Sequence, residues 1–254
     1  MLFNEFGSKN NPVVLLMHGM MQDWKSEYEL LKPLEEYYRL IIPAMDGFYD
    51  DGPDFTNFAD QCGQIEDYIQ DNHDGKLYGA YGASQGGLII TELLTRNRIN
   101  IQTVITDGVY VAHQGILAGW ITYKMFDKYK NTGKFPAFIY ITMKLMGTTL
   151  EELMGGLEKT LYLNASDVTM RRNFLENYTY HVRPELANTT SKVYLWCGSK
   201  EPYAIKSHNY LKKYLKEYSE EIMQGYGHGE LLLKHQSEIC QKISSTFGIP
   251  SFDT

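Results

Sequence analysis

Residues Tyr81 to Gly87 read YGASQGG, with Ser84 flanked by glycines two places before and two places after it. An apolar run precedes the stretch (KLYGAYG, Lys76 to Gly82), and a segment rich in Leu and Ile follows from Ser84 to Leu94. The first fits a buried strand and the second a helix. A chain turning sharply from strand to helix crowds itself on either side of the turn, and Gly82 and Gly86 carry no Cβ to clash. Ser84 would then present its hydroxyl at the carboxyl edge of a sheet, above the amide groups and positive end of a helix. A plain helix N-cap also suits serine, but it has no need of glycine on both sides.

Working outward, Val13 to Met17 (VVLLM), Tyr38 to Gly47, Gln102 to Asp107, Lys192 to Gly198 and Glu220 to Gly225 read as further strands. Between them lie helical patterns at Asp23 to Tyr37, Phe58 to Ile69, Tyr203 to Lys216 and Glu230 to Phe247. Strands alternating with helices through short turns predict an α/β fold, a mostly parallel sheet with helices on both faces. The alternation fails between Asp107 and Lys192, a gap too long for a plain loop. Gly115 to Tyr129 places Ile116, Trp120, Tyr123 and Phe126 near one face, Thr149-x-x-Glu152 forms a capping box, and Asp167 can cap a helix through Tyr178. These predict an inserted helical cap over residues 113–188, with the core built from 1–112 and 189–254.

A serine hydroxyl is a weak nucleophile and needs a base within reach, itself oriented by an acid. His228 sits between Gly227 and Gly229 after the last predicted strand, in GYGHGE, unlike the other six histidines. His73, His113, His181, His208 and His235 read as surface or cap residues, and His18 as shaping a loop. Glu201 lies in GSKEP, just after the Lys192 to Gly198 strand. Asp107, at the end of the preceding strand in ITDGVY, is the alternative acid.

In Gly82-Ala83-Ser84-Gln85-Gly86, His18-Gly19 after an early strand, Gly198-x-x-Glu201 and Gly227-His228-Gly229, the chain resembles the α/β-hydrolase superfamily. The order and spacing of these motifs span nearly the whole chain. The resemblance implies an eight-stranded sheet, of which this chain lacks the usual first pair because only about twelve residues precede VVLLM. It implies Ser84 as nucleophile, His228 as base and Glu201 as orienting acid, with an oxyanion hole of backbone N–H groups from Met20 and Gln85. Asp107 stays open as the acid, since some members carry theirs after that strand. The loop MMQDW has no glycine run after His18-Gly19, which separates it from the HGGG esterases.

The expected activity is hydrolysis of a small to medium, moderately hydrophobic carboxylic ester through an acyl-enzyme. Acyl transfer, thioester hydrolysis, C–C bond hydrolysis and ligand binding without turnover are the alternatives on the same fold. Met21, Met125, Met143 and Met146 are candidate substrate-pocket residues, methionine being suited to adaptable apolar sites. The chain has 254 residues, 43% hydrophobic and 22% charged, which is the composition of a globular domain. A net charge of −7 without a basic run argues against nucleic acid as a partner. No apolar run approaches the ~18 residues of a membrane span, and the cytoplasm is the expected location. Cys62, Cys197 and Cys240 are too widely spaced for a metal site and read as reduced thiols. No P-loop or GxGxxG after the first strand is present, so no cofactor is expected.

Overall fold

The computed structural model describes residues 1–111, 114–138, 140 and 157–248. Seven strands form one sheet: β1 (Leu2–Phe6), β2 (Val13–Met17), β3 (Arg39–Ala44), β4 (Lys76–Ala83), β5 (Asn100–Asp107), β6 (Lys192–Gly198) and β7 (Tyr218–Met223). Their order is β1-β3-β2-β4-β5-β6-β7, with β1 antiparallel to β3 and every other pair parallel. Helices α1 (Trp24–Leu31), α2 (Phe58–His73), α3 (Gln85–Arg96), α6 (Pro202–Leu211), α7 (Glu230–Lys234) and α8 (Gln236–Phe247) accompany it. The long β5–β6 connection carries α4 (Ile116–Thr132) and α5 (Asp167–Thr179).

Two expectations are corrected. A strand precedes VVLLM: the residues LFNEF pair antiparallel with β3, Leu2 opposite Ala44 and Phe6 opposite Leu40. Its partly exposed, mixed composition gave no apolar run to notice. The closing helix is broken at His235 (φ −129°, ψ 54°) into α7 and α8.

The sheet is covered twice because successive strand residues face opposite sides. On β2, Leu15 and Met17 join a core with Cys62, Ile65 and Ile69 of α2 and Ile89, Ile90 and Leu93 of α3. Val14 and Leu16 face the other way, onto Leu31 and onto Ile239, Ile243 and Phe247 of α8. Removing one such side chain, as in Ile89→Ala, would cost about 2–5 kcal/mol. Cys62, Cys197 and Cys240 are all buried and free, and burial pushes the last two thiols up to about 12. Among the described residues no helix is long and apolar enough to cross a membrane.

The chain leaves β2 toward β3 on one side, whereas β4 pairs with β2 on the other. That reversal opens a crevice beyond the carboxyl ends of β2 and β4, where open α/β sheets take their ligands. Above it, α4 and α5 pack together, with Gly119 against Tyr178 and the Gln114 and Gly115 N–H groups donating to Tyr178 O. Helix α5 is tied to the sheet layer. Phe55 N–H donates to Thr169 Oγ1 at 3.0 Å, Phe58 N–H donates to Glu176 Oε1 at 3.1 Å, and Arg183 pairs with Glu92 at 2.6 Å.

Candidate active site

Ser84 follows β4 in a conformation that L-residues seldom adopt, φ 54° and ψ −119°. Its N–H donates to Asp107 O at 2.7 Å, and its carbonyl accepts the first bond of α3 from Leu88. The side chain makes no capping bond to the helix, so the N-cap reading does not describe it. The glycines are required by contact. A Cβ on Gly82 would stand 2.5 Å from the Gly86 carbonyl carbon, and one on Gly86 would stand 2.0 Å from Met17 O. Strain of this kind, on the order of 1–3 kcal/mol, persists where surrounding structure fixes it.

The hydroxyl so displayed meets a side chain from the far end of the sequence. His228 Nε2 lies 3.1 Å from Ser84 Oγ. Its Nδ1 lies 2.6 Å from Glu201 Oε2, an N–H donating to a buried carboxylate. Glu201 is fixed in turn, because its Oε1 accepts Gly198 N–H at 2.7 Å. The loops carrying both groups brace one another: Lys200 N–H donates to Tyr226 O, and Gly225 N–H to Ser199 Oγ. Burial pushes the Glu201 carboxyl up, but the hydrogen bond and charge of His228 outweigh that and hold it below its ordinary range. For His228, burial acts downward, and Glu201 with Asp107 behind it raises the imidazole above its ordinary value.

Asp107 does not hold this position. Its carboxyl is buried beneath Tyr81, whose hydroxyl donates to Oδ2 at 3.2 Å, while Glu201 makes the bond to His228. Burial and the neighbouring Glu201 charge push Asp107 up to about 7. His18 is buried edge-on to Phe48, and burial lowers its pKa to about 4, leaving a neutral ring.

A cavity of about 360 Å³ opens over Ser84. Met20, Leu88, Met125, Phe126, Phe135, Leu157, Leu232 and others give it an apolar wall, with Gln114, Asn177 and Tyr178 among its polar members. Among the described residues no Lys, Arg, Asp or Glu lines it. Met125 is therefore placed on the cavity, and Met20 lines its floor. Met21 is a correction: at φ 61°, its side chain is packed in the core and 1% exposed, away from the cavity lining. Met143 and Met146, with the Thr149 capping box, lie outside the described residues. Gln85 opens α3, and as a first-turn residue its N–H has no intrahelical acceptor.

Tyr110 is a further member of the site. Its ring stacks on His228, centroids 5.0 Å apart and 25° from coplanar, and its hydroxyl donates to Glu201 Oε2 at 3.3 Å. Its place three residues past the end of β5 was the available signal. His208, read as a surface residue, is instead buried between Trp196 O and Glu220.

A family model for the α/β-hydrolase fold matches residues 12–234, most of the chain. The protein belongs to the α/β-hydrolase fold family. Solved structures superpose on it along nearly their full length. One, from Desulfitobacterium hafniense, is assigned to the same family, with a TM-score of 0.82 at 19% identity, covering 96% of this chain and 99% of that one. A structure from a study of carboxylesterases of Nitrososphaera gargenis gives 0.74 at 15%, covering 97% and 94%. A thermophilic esterase from Thermogutta terrifontis gives 0.73 at 15%, covering 96% and 91%. At these identities the likeness is one of fold. No functionally curated protein matched the chain. As an α/β-hydrolase it shows, among the described residues, a seven-stranded sheet where the family resemblance implied eight strands, with one strand ahead of VVLLM where none was expected.

Proposed function

We propose that this α/β-hydrolase is a serine esterase acting on small to medium, uncharged, moderately hydrophobic carboxylic esters. The observation that carries the reading is the continuous relay from Ser84 Oγ to His228 Nε2 at 3.1 Å and from His228 Nδ1 to Glu201 at 2.6 Å. It lies beneath an apolar cavity free of charged side chains among the described residues.

In this reading His228 Nε2 takes the Ser84 proton as Oγ attacks the ester carbonyl carbon. The carbonyl oxygen becomes an oxyanion facing the N–H groups of Met20 and Gln85. Donors fixed before the reaction cost no reorganisation, and losing one such donor costs about 3 kcal/mol of transition-state stabilisation. His228, now an imidazolium against Glu201, returns its proton to the departing alkoxide and releases the alcohol. Water then attacks the acyl-serine, His228 accepts its proton, and the carboxylic acid leaves as Ser84 is reprotonated. The same reading takes residues 113–188 as a cap on a core of 1–112 and 189–254. The cap supplies Met125, Phe126 and Phe135 to the cavity, and apolar walls there favour an uncharged acyl chain.

The decisive experiment is labelling with a fluorophosphonate, which requires an activated serine. Native protein should label and Ser84→Ala should not; equal labelling of both, or none of either, ends the serine-esterase reading. A panel of esters, thioesters and β-diketones of matched chain length then establishes which bond is cleaved fastest.

A further inference from the structure

The loop after β2 is closed by a side chain as well as by its own turn. Gln22 is buried, 5% exposed, and its Oε1 accepts the Gly19 N–H at 2.9 Å. Its own N–H donates back to Gly19 O at 3.3 Å. The other end of the amide faces the inserted segment: Nε2 donates to Thr160 Oγ1 at 2.7 Å. Thr160 Oγ1 donates to Leu157 O at 2.8 Å, and Leu157 and Gln22 both line the cavity. Backbone pairing continues the contact, with Tyr162 N–H donating to Met21 O at 2.7 Å and an antiparallel bridge between Gln22 and Leu161.

These contacts bear on one peptide group. The Gly19 N–H is consumed by Gln22, so the next amide, Met20, is the one left for a developing oxyanion. Met21 on its far side is held at φ 61°, in the left-handed region that L-residues disfavour. Within the loop, the Gln22 side chain and backbone close on Gly19 around Met20 and Met21, and Thr160 holds that side chain from outside the loop. An oxyanion donor is effective only if its direction is set before the reaction.

We infer that Gln22 is a positioning residue for the oxyanion loop and that Thr160 is its anchor in the insertion. The segment around residue 160 thereby aims the Met20 N–H in addition to walling the cavity. The inference rests on the reading of Ser84 as nucleophile and Met20 as oxyanion donor.

The test uses the full chain with a p-nitrophenyl ester as probe. Thr160→Val removes the hydroxyl while keeping the shape, Thr160→Ser keeps the hydroxyl, and Gln22→Leu removes the clamp. Thr160→Val should lower kcat roughly 10- to 100-fold with KM within about twofold, because the lost aim is felt in the transition state. Thr160→Ser should restore kcat. Gln22→Leu should lower it at least as far, and the double variant should fall no further than Gln22→Leu alone. Native kcat in Thr160→Val, a change in KM alone, or additive losses would overturn the inference. Unfolding midpoints and fluorophosphonate labelling separate the causes. If native protein labels at Ser84 and Thr160→Val keeps native kcat, the inference alone falls; if native protein does not label, the esterase reading falls and this inference with it.

Discussion

A Cβ built on Gly108 would stand 3.0 Å from Nδ1 of His228 and 2.9 Å from Oε2 of Glu201. The turn after β5 is therefore the floor under the hydrogen bond between imidazole and carboxylate. Gly108 also takes φ 61°, so a side chain there is strained in backbone as well as in space. Gly108→Ala should displace one of the two partners and lower kcat on the order of 100-fold, the cost of misplacing a reacting group by about an ångström. Circular dichroism should show a native fold, so that kcat with a short-chain ester reports the relay itself.

The two carboxylates near His228 are expected to differ sharply on mutation. Glu201→Gln should reduce kcat by a factor on the order of 10³ or more, as when a triad member is lost. Asp107→Asn should cost less than about tenfold, since its carboxyl bonds to Tyr81 and its burial favours the neutral form. The reverse ranking would make Asp107 the acid.

The pH profile carries a signed expectation. A base must be unprotonated, so kcat/KM rises as pH rises through the pKa of His228, which Glu201 holds above the ordinary imidazole value. In Glu201→Gln the carboxylate charge is gone and burial dominates, so the acid limb should move to lower pH. A limb that stays in place, or moves up, would show that another group governs it.

Stability should carry the signature of a carboxyl outside the site. Glu27 on α1 is wholly buried, neither carboxyl oxygen has a partner among the described residues, and burial pushes its pKa from 4.5 to about 8. Its folded form holds the proton more tightly than the unfolded chain, so stability falls as pH rises from about 4.5 to about 8 and is level below that window. The loss across the window is on the order of a few kcal/mol. Urea unfolding at both ends of the range should show it, and Glu27→Gln should flatten it. An unchanged slope in the variant would contradict the assignment.

Chain-length selectivity should follow Met125. It projects from α4 into the cavity of about 360 Å³. Met125→Trp should lower kcat/KM for an octanoyl ester at least ~10-fold while an acetyl ester changes less than about threefold, since apolar pockets discriminate by a few methylene equivalents. Equal losses on both esters would place Met125 away from the acyl chain.

Much of this was legible in one dimension because it rests on local rules. The apolar runs of β2 and β4, the helical spacing of α2 and α3 and the glycines around Ser84 each state their own conformation. Gly82 could be predicted because the clash it avoids, with Gly86, lies within a few residues of chain, whereas the clash Gly86 avoids is with Met17 O at the end of a different strand. Strand β1 was missed for the converse reason: LFNEF has no strong period of its own and is a strand because it pairs with β3.

What the sequence determined by itself was the alternating α/β plan, the sharp turn at Ser84 and a short set of titratable residues at strand ends. What only tertiary structure decided was which of them meet. Asp107 is the last residue of β5 and Glu201 lies three residues beyond the end of the adjacent β6, and the loop braced by Lys200 and Tyr226 is what brings Glu201 to His228. Met21 and Met125 look alike in sequence, yet one packs into the core while helix α4 carries the other to the cavity. Gln22 gave no signal because its partner, Thr160, is far along the chain. Local conformation is set by neighbours in sequence, but convergence of side chains depends on loop paths and packing, in which residues distant along the chain take part together.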